Sequence, residues 1–464
     1  MRTVFLLLLV TYGYFVPPVS WNGNSRFDLT RALVEEGGVR IDSFHRNTGD
    51  KAEHGGHVYT DKAPGVSLLG APAYAIFLAT TTLTGQPPPA ITVEPARRGA
   101  VFEYVTANRS FSRGIYVVTL TAVGLWSALG GAVLFGFLRA RTGSPARALA
   151  LTAACAIGSP ILPYSTMLYG HATAAAQLWL ALALLVPWRP GDPEPLLRRV
   201  ALAGLLCGLA TLCEYPAAGG AALLGLFVLL RKGRRAAAAF LLGATPAAAV
   251  LLGYHAAAFG GPLSTGYAHV QSPLFAGQQS GFFGIGWPRP GVVISLLFGR
   301  LRGLFWVAPV LLLAAIGLPR LVRTTRLWPA AALPAFFLLV NGGYYMWWGG
   351  SAYGPRHLLP ALPFLTLGLL AVPAPLARAR LPLLALSMAN ALAATAIGPE
   401  APARGDLLAD HIWSFVLAGR VAVESGTSNL GLEMRLPGLL SLVPLLCLWA
   451  AGANVILHEP AEPA

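Results

Sequence analysis

Apolar runs alternate with short polar segments along almost the entire chain. Each run is close to the ~20 residues that a helix needs to cross the hydrocarbon core of a bilayer. The pattern predicts membrane spans near residues 3–19, 113–138, 147–163, 171–188, 198–214, 217–230, 236–258, 303–319, 328–345, 357–373, 381–398 and 436–457. The predicted fold is all-α, a polytopic transmembrane helical bundle of about 12 spans, because helices satisfy their own backbone hydrogen bonds in lipid. It forms one membrane domain over residues 1–464, with a long polar loop at 20–112.

Composition supports this pattern and excludes a soluble protein. The chain is 55% hydrophobic and only 11% charged, with a mean hydropathy of +0.61. Soluble domains carry about 25% charged residues, so this chain could not cover a soluble surface. The net charge of +14 arises from short Arg and Lys clusters between apolar runs, not from a basic helix or stripe. Membrane lipids are therefore expected partners, and no nucleic acid is expected.

The basic clusters predict the orientation of the bundle. All of them fall on one side of the membrane, and the positive-inside rule makes that side cytoplasmic, together with both termini. The clusters comprise Arg139, Arg141 and Arg147; Arg189, Arg198 and Arg199; Arg231, Lys232, Arg234 and Arg235; Arg320, Arg323 and Arg326; and Arg378 and Arg380. Of the 19 acidic residues, only Asp192, Glu194, Glu459 and Glu462 fall on the same side, so polar chemistry is expected at the outer face.

One apolar segment, residues 66–85, does not fit this orientation as a crossing span. If it crossed, every later loop would invert and the basic clusters would face outward. We therefore predict a helix that dips into the outer leaflet or runs along it without crossing, inside an outer loop that spans residues 20–112.

The outer loop opens with a predicted surface helix from Ser25 to Gly37, with Ser25 as its cap and apolar residues along one side. Asp28 lies early in this helix. Its carboxylate could act as a general base or metal ligand near the membrane, or it could simply stabilise the helix N-terminus. The sequence alone leaves both interpretations open.

Two further positions suggest a phosphate ligand at headgroup depth. Asp61 and Lys62 end the polar part of the loop, where a Pro-Gly turn leads into the apolar segment. Arg356 and His357 begin a span on the outer side and follow several glycines. Lys62 could equally anchor its helix by snorkelling, and the aromatic residues around Arg356 fit an interfacial belt. Lysine and arginine are both established phosphate ligands, so the sequence leaves a phosphate site and the structural interpretation open for Lys62 and Arg356.

Two more ionisable residues lie at predicted span ends on the outer side. His171 opens a span, where a packed interfacial histidine and a site residue are both possible. Glu214 is the one acid between two closely spaced apolar segments, and it is either functional or exposed at a tight turn. No Walker loop, HExxH motif or glycine-rich dinucleotide motif occurs in the sequence.

The order of these parts resembles the membrane glycosyltransferases of the GT-C class, especially bacterial relatives of protein O-mannosyltransferases and of the lipid A aminoarabinose transferase. The resemblance rests on a first span, a long outer loop with a helix, and the turn Tyr59-Thr60-Asp61-Lys62-Ala63-Pro64. Members with this turn use its lysine near the lipid phosphate, which implies that role for Lys62. In better-known members an acidic pair precedes an Arg-aromatic pair; if Arg26-Phe27 matches the latter, the acidic positions are occupied by Gly23 and Asn24.

The resemblance implies a polyprenyl-phosphate-sugar-dependent glycosyltransferase of the cell envelope, in a bacterial-type inner membrane. We expect inverting transfer of a hexosyl or pentosyl group at the outer face to an acceptor hydroxyl on a lipid, glycan or protein. Asp28 would be the base, while Lys62, Asp61, Arg356, His357 and His171 would bind the donor phosphate. No metal ligand is assigned and no cofactor is certain, although a divalent cation could assist. The alternative is a transporter or flippase for a lipid-linked or small polar solute, which would place charged residues at mid-depth in the spans.

Overall fold

Long apolar helices dominate the computed structural model, which describes residues 1–94, 104–189, 191–424 and 426–458. Within these described ranges, five helices are long and apolar enough to cross a bilayer: Gly65–Leu83, Arg109–Thr142, Ala217–Phe259, Ala374–Ile397 and Gly438–His458. Shorter apolar helices are Arg2–Gly13, Gly170–Leu185, Pro329–Gly343, Arg356–Ala371 and Leu407–Leu417. The helical membrane bundle predicted from the apolar runs is confirmed, whereas the number of crossings stays a prediction.

Further helices complete the bundle: Pro145–Ala156, Ile161–Tyr164, Leu197–Cys213, Pro290–Phe298, Leu304–Val307, Val310–Thr325 and Leu430–Glu433, with 3₁₀ turns at His45–Asn47, Gly266–His269 and Pro273–Gln279. Every predicted span overlaps one of these helices. Residues 95–103 of the predicted outer loop, and the predicted inner-side acids Glu459 and Glu462, lie outside the described residues.

The helix Ala217–Phe259 is two helices joined at Gly233, which has φ 81° and ψ −179°. Near Gly225 an added Cβ would lie 3.2 Å from the Phe240 ring, so the two halves fold back on one another. At Gly204 and Gly243 the neighbouring backbone leaves no room for a side chain, which lets the second half pack closely on Leu197–Cys213. Gly233 therefore forms the turn between the predicted spans 217–230 and 236–258.

The helix at the start of the outer loop differs from its prediction. It runs over Trp21–Arg31, and the Ser20 hydroxyl caps it by accepting a hydrogen bond from the Gly23 N–H at 3.2 Å. A π-helical turn over Ala32–Glu36 follows and ends at Gly37, whose φ is 65°. The predicted cap at Ser25 is wrong because the helix begins one turn earlier. The helix is enclosed by protein, since all residues from Asn22 to Arg31 are buried.

The strands are short and form two-stranded antiparallel pairs within and between the loops. Lys51–His54 pairs antiparallel with His57–Thr60, and the turn between them uses Gly55 and Gly56, both with positive φ. The other antiparallel pairs join Ile91–Glu94 to Tyr104–Ala107 and Phe15–Val16 to Ser428–Asn429. The first hairpin, residues 51–60, brings the chain back to the helix Trp21–Arg31, called the loop helix below, just before Lys62.

The apolar segment predicted not to cross forms the continuous helix Gly65–Leu83. It packs against the helix that begins at Arg109, with Gly70 lying directly on Val118. Its length and composition would suffice for a crossing. A path along or partly into the outer leaflet stays a prediction.

Candidate active site

Arg26, from the middle of the loop helix, joins three parts of the chain. Its Nη2 atom donates to Glu214 Oε1 at 2.7 Å, and its Nη1 atom donates to the Ala63 carbonyl at 3.1 Å. Its Nε atom donates to Asn22 Oδ1 at 3.0 Å, which fixes the side chain on its own helix. With only 2% of the Arg26 side chain exposed, this buried ion pair fixes the turn that carries Lys62 relative to the helix ends at Glu214.

Lys62 lies between two carboxylates. Its Nζ atom is 2.9 Å from Asp61 Oδ2 and 3.1 Å from Asp50 Oδ2. Burial lowers the pKa of Lys62, but the charges of Asp50 and Asp61 outweigh burial, so the pKa is raised and the lysine stays charged. Burial raises the pKa of Asp61 to about 6, against the lowering effect of Lys62.

Arg356 faces the same cluster from the other half of the chain. Its positive charge partly offsets the rise in the pKa of Lys62 that Asp50 and Asp61 cause. The guanidinium lies 5.3 Å from the centre of the Tyr169 ring, and the Tyr169 hydroxyl donates to Glu400 Oε1 at 2.8 Å. Among the residues that the structure describes, no hydrogen-bond partner meets the buried Nε atom of Arg356. A buried donor of this kind needs a ligand or water.

His171 and His357 complete the cluster. Their ring centres are 5.2 Å apart, and His171 Nδ1 lies 3.5 Å from Glu214 Oε1. The Tyr344 ring lies 5.3 Å from His357 on the far side. Within the described ranges, the buried Nε2 atom of His357 also has no hydrogen-bond partner. The structure thus brings together Lys62, Asp61, Arg356, His357 and His171, although they are separated by up to hundreds of positions in the chain.

Asp28 has a different environment. Its side chain is fully buried, and Asn47 Nδ2 donates to its Oδ1 atom at 3.1 Å. Its Oδ2 atom has no partner in the part of the chain that the structure covers. Burial raises the pKa of Asp28 well above its ordinary value, partly offset by Asn47 and by the charges of Arg31 and Lys51. The role of Asp28 as base stays a prediction.

The sequence analysis assigned no role to four residues of the cluster: Asp50, Tyr169, Glu400 and Arg26. Arg26 was named there only as part of the Arg-aromatic pair of the family resemblance. Tyr169 and Glu400 lie in unrelated loops, and a single sequence carries no signal that would pair them. Asp50 was one of several carboxylates in the outer loop, with no pattern to distinguish it. Glu214 was recognised as a candidate but not paired with Arg26.

Among residues 1–94, 104–189, 191–424 and 426–458, no group of three or more His, Cys, Asp or Glu side chains is arranged to hold a metal ion. The divalent cation considered from the sequence therefore stays a prediction.

Comparison with known proteins gives a structural match. No family model and no curated protein matches the sequence. The crystal structure of ArnT from Cupriavidus metallidurans bound to undecaprenyl phosphate matches 98% of this chain and 74% of its own, with a TM-score of 0.51 and 15% identity. The chain has the ArnT fold. The apo structure of the same ArnT matches 97% of this chain and 73% of its own, with a TM-score of 0.49 and 15% identity.

The ArnT match confirms the GT-C-like fold that the order of motifs predicted. ArnT is the lipid A aminoarabinose transferase, a GT-C glycosyltransferase. At 15% identity the likeness extends to the fold and not to individual site residues. The chemistry of this chain must therefore be argued from its own side chains.

Proposed function

We propose that the protein is a polyprenyl-phosphate-dependent glycosyltransferase that works at the outer face of an inner membrane. The observation that carries the proposal is one buried cluster that joins the turn of Lys62 to Arg356 and His357 through Arg26, Glu214 and His171, with no partner for Arg356 Nε among the described residues. Two cations and two histidines in one cluster suit a phosphate better than a neutral ligand. The ArnT structure with undecaprenyl phosphate supports the same ligand class.

The cluster suits a departing phosphate. In an inverting transfer, an acceptor hydroxyl attacks the anomeric carbon while the bond from that carbon to the phosphate oxygen breaks. Negative charge then grows on the phosphate, and Lys62 and Arg356 would stabilise it more strongly in the transition state than in the bound donor. His171 and His357 would add hydrogen bonds to the same oxygens.

An apolar cavity that could hold a prenyl tail is lined by residues close to Glu214 in the chain. A cavity of about 450 Å³ lies between the helix Leu197–Cys213 and both halves of Ala217–Phe259. Its lining includes Thr211 and Ala218, which precede and follow Glu214 in the chain. A tail packed here would leave its phosphate near the residues that Glu214 contacts.

The transporter alternative is not favoured. A solved structure that shares this fold is that of a transferase, and the cluster lies where helices end rather than at their middles.

The test is donor cleavage. Native membranes that contain the protein would be incubated with undecaprenyl phosphate glycosides of several hexoses and pentoses, and the undecaprenyl phosphate released would be measured. We expect release from at least one donor, and none from membranes that lack the protein. Absence of release from every donor, with the protein folded and present, would overturn the proposal.

A further inference from the structure

Asp50 occupies a central position in the cluster, although the sequence gives it no role. Its Oδ2 atom is 3.1 Å from Lys62 Nζ, and 8% of its side chain is exposed. Its charge raises the pKa of both Asp61 and Glu400. Asp50 therefore pairs with the lysine of the cluster, while Glu400 accepts a hydrogen bond from Tyr169, whose ring lies beside Arg356.

The backbone around Asp50 is held firmly. Residues 47–50 run along the first turns of the loop helix, where Asn24 Nδ2 donates to the Asn47 carbonyl at 2.9 Å. The Thr48 hydroxyl donates to the Trp21 carbonyl at 2.7 Å, and the Ser25 hydroxyl donates to the Asp50 carbonyl at 2.5 Å. A catalytic group must be held within a fraction of an ångström, and these bonds provide that restraint.

The other nearby carboxylates are less suited to receive a proton. Asp61 is fully buried, and Glu214 is bound by Arg26 at 2.7 Å. Asp28 is fully buried, and its Oδ1 atom accepts a hydrogen bond from the Asn47 side chain at 3.1 Å. Asp50 keeps an exposed fraction, and its lysine partner is shared with Asp61.

We propose that Asp50 is the general base of the transfer, an inference that rests on the proposed function. The acceptor hydroxyl gives its proton to the Asp50 carboxylate, and its oxygen forms the new bond to the anomeric carbon. The bond between that carbon and the phosphate oxygen breaks, and its electron pair leaves with polyprenyl phosphate, which Lys62 and Arg356 hold.

Donor binding prepares this step. When a phosphate binds to Lys62, the lysine can retain its ion pair with Asp61, its neighbour in the chain, and lose its ion pair with Asp50. The Asp50 carboxylate is then available to the acceptor hydroxyl. Asp28 then acts as a positioning residue: it binds the Asn47 side chain, and Asn47 lies three residues before Asp50.

The experiment compares Asp50→Asn with Asp28→Asn in full-length protein. Two quantities are measured: release of undecaprenyl phosphate from its glycosides, and binding of undecaprenyl phosphate itself. We expect Asp50→Asn to lower the rate by about 10² to 10⁴-fold, the usual contribution of a general base. Its binding of undecaprenyl phosphate should be unchanged or tighter, because one competitor for Lys62 is gone. Asp28→Asn should lower the rate less than about tenfold.

The controls separate a base from a structural residue. Asp42→Asn changes an exposed acid of the same loop, paired with His57, and should act at the parental rate. Asp50→Glu keeps a carboxylate and should recover part of the rate. Asp50→Ser provides a second variant without a carboxylate if Asp50→Asn does not fold.

Each remaining outcome has a defined meaning. An active parent with Asp50→Asn within about threefold of its rate would overturn this inference and leave the proposed function intact. Loss of rate in proportion to loss of undecaprenyl phosphate binding would also overturn it, since Asp50 would then serve binding alone. A parent that cleaves no donor would overturn the proposed function and, with it, the role of Asp50. If Asp28→Asn is inactive as well, contrary to expectation, Asn47→Ala decides: a rate as slow as that of Asp28→Asn would support a role of Asp28 through Asn47, and a normal rate would overturn the assignment of the base to Asp50.

Discussion

The Nη2 atom of Arg26 lies 2.7 Å from Glu214 Oε1, and both side chains are almost entirely buried. This pair joins the outer loop to the turn between two membrane helices, across 188 positions of sequence. The same Glu214 oxygen lies 3.5 Å from His171. One carboxylate therefore positions the loop helix and one of the two histidines of the cluster.

Breaking this pair should destabilise the protein strongly. Arg26→Met or Glu214→Gln leaves one buried group without its partner, which typically costs about 3–5 kcal/mol. Thermal unfolding in detergent would show a clear fall in Tm. The double variant Arg26→Met/Glu214→Leu should recover part of the loss, because no unpaired charge remains. The exposed pair provides the control: Asp42→Asn should cost no more than about 1 kcal/mol. Equal falls in Tm for Glu214→Gln and Asp42→Asn would contradict this account.

Lys62→Gln should weaken binding of undecaprenyl phosphate more than it lowers the amount of folded protein. A hydrogen bond to a charged group contributes about 1.5–3 kcal/mol, which corresponds to about a 10- to 100-fold loss of affinity. The matched control is Lys232→Gln, at a lysine paired with Glu194 on the predicted cytoplasmic side. Unchanged affinity in Lys62→Gln would reduce Lys62 to an anchor for its helix.

The fold was predictable because its signal is repeated along the chain. Every predicted span is an apolar run near the length of a crossing, so small errors at single residues do not change the class of fold. Local detail was less certain. Ser20 and Ser25 are both adequate caps by residue type, and only the packing of Trp21 under residues 48–49 places the helix start at the earlier one.

The site was predictable in its cations but not in its acids. Lys62, Arg356 and His171 are conspicuous because charged residues at span ends are costly and few. The outer loop, in contrast, contains many carboxylates, and only three-dimensional structure brings Asp50 to Lys62 and Glu400 to Tyr169. Pairing residues hundreds of positions apart requires contacts that one sequence does not contain.

Stability should fall as pH rises through neutrality, in part because of Glu400. Burial raises the pKa of Glu400 to about 7, despite the hydrogen bond from Tyr169 and the charge of Arg356. The pKa of Glu400 is higher in the folded protein than in the unfolded chain, so the folded state favours the protonated carboxyl group. The resulting contribution to the free energy of unfolding is fully present below about pH 4 and is lost as the pH rises through about 7. Its upper limit is about 3 kcal/mol, reduced by water that reaches the partly exposed side chain.

The measurement is the difference in Tm between parent and Glu400→Gln at pH 5 and at pH 8. The parent should lose more stability than the variant over this interval. Glu424, whose carboxylate accepts a hydrogen bond from the Glu400 N–H, has its pKa raised to about 9 by burial and by Glu400. It therefore keeps its proton over most of the interval. A parallel decline of parent and variant would remove Glu400 from the explanation.

The orientation of the bundle can be tested at two positions. Gln86 follows the helix Gly65–Leu83, is exposed, and accepts a hydrogen bond from Arg113. Arg234 is exposed in the turn at Gly233 and avoids the left-handed backbone of that glycine. Single cysteines at these positions would be introduced in a background in which Cys447, the exposed native cysteine, is alanine.

Because the basic clusters predict a cytoplasmic turn, an impermeant thiol reagent added to intact cells should label Gln86→Cys and not Arg234→Cys. Opening the cells should make Arg234→Cys reactive. Labelling of Arg234→Cys but not Gln86→Cys from outside would show that the predicted orientation is reversed. Lys62 and Arg356 would then lie at the cytoplasmic face, which rules out transfer at the outer face.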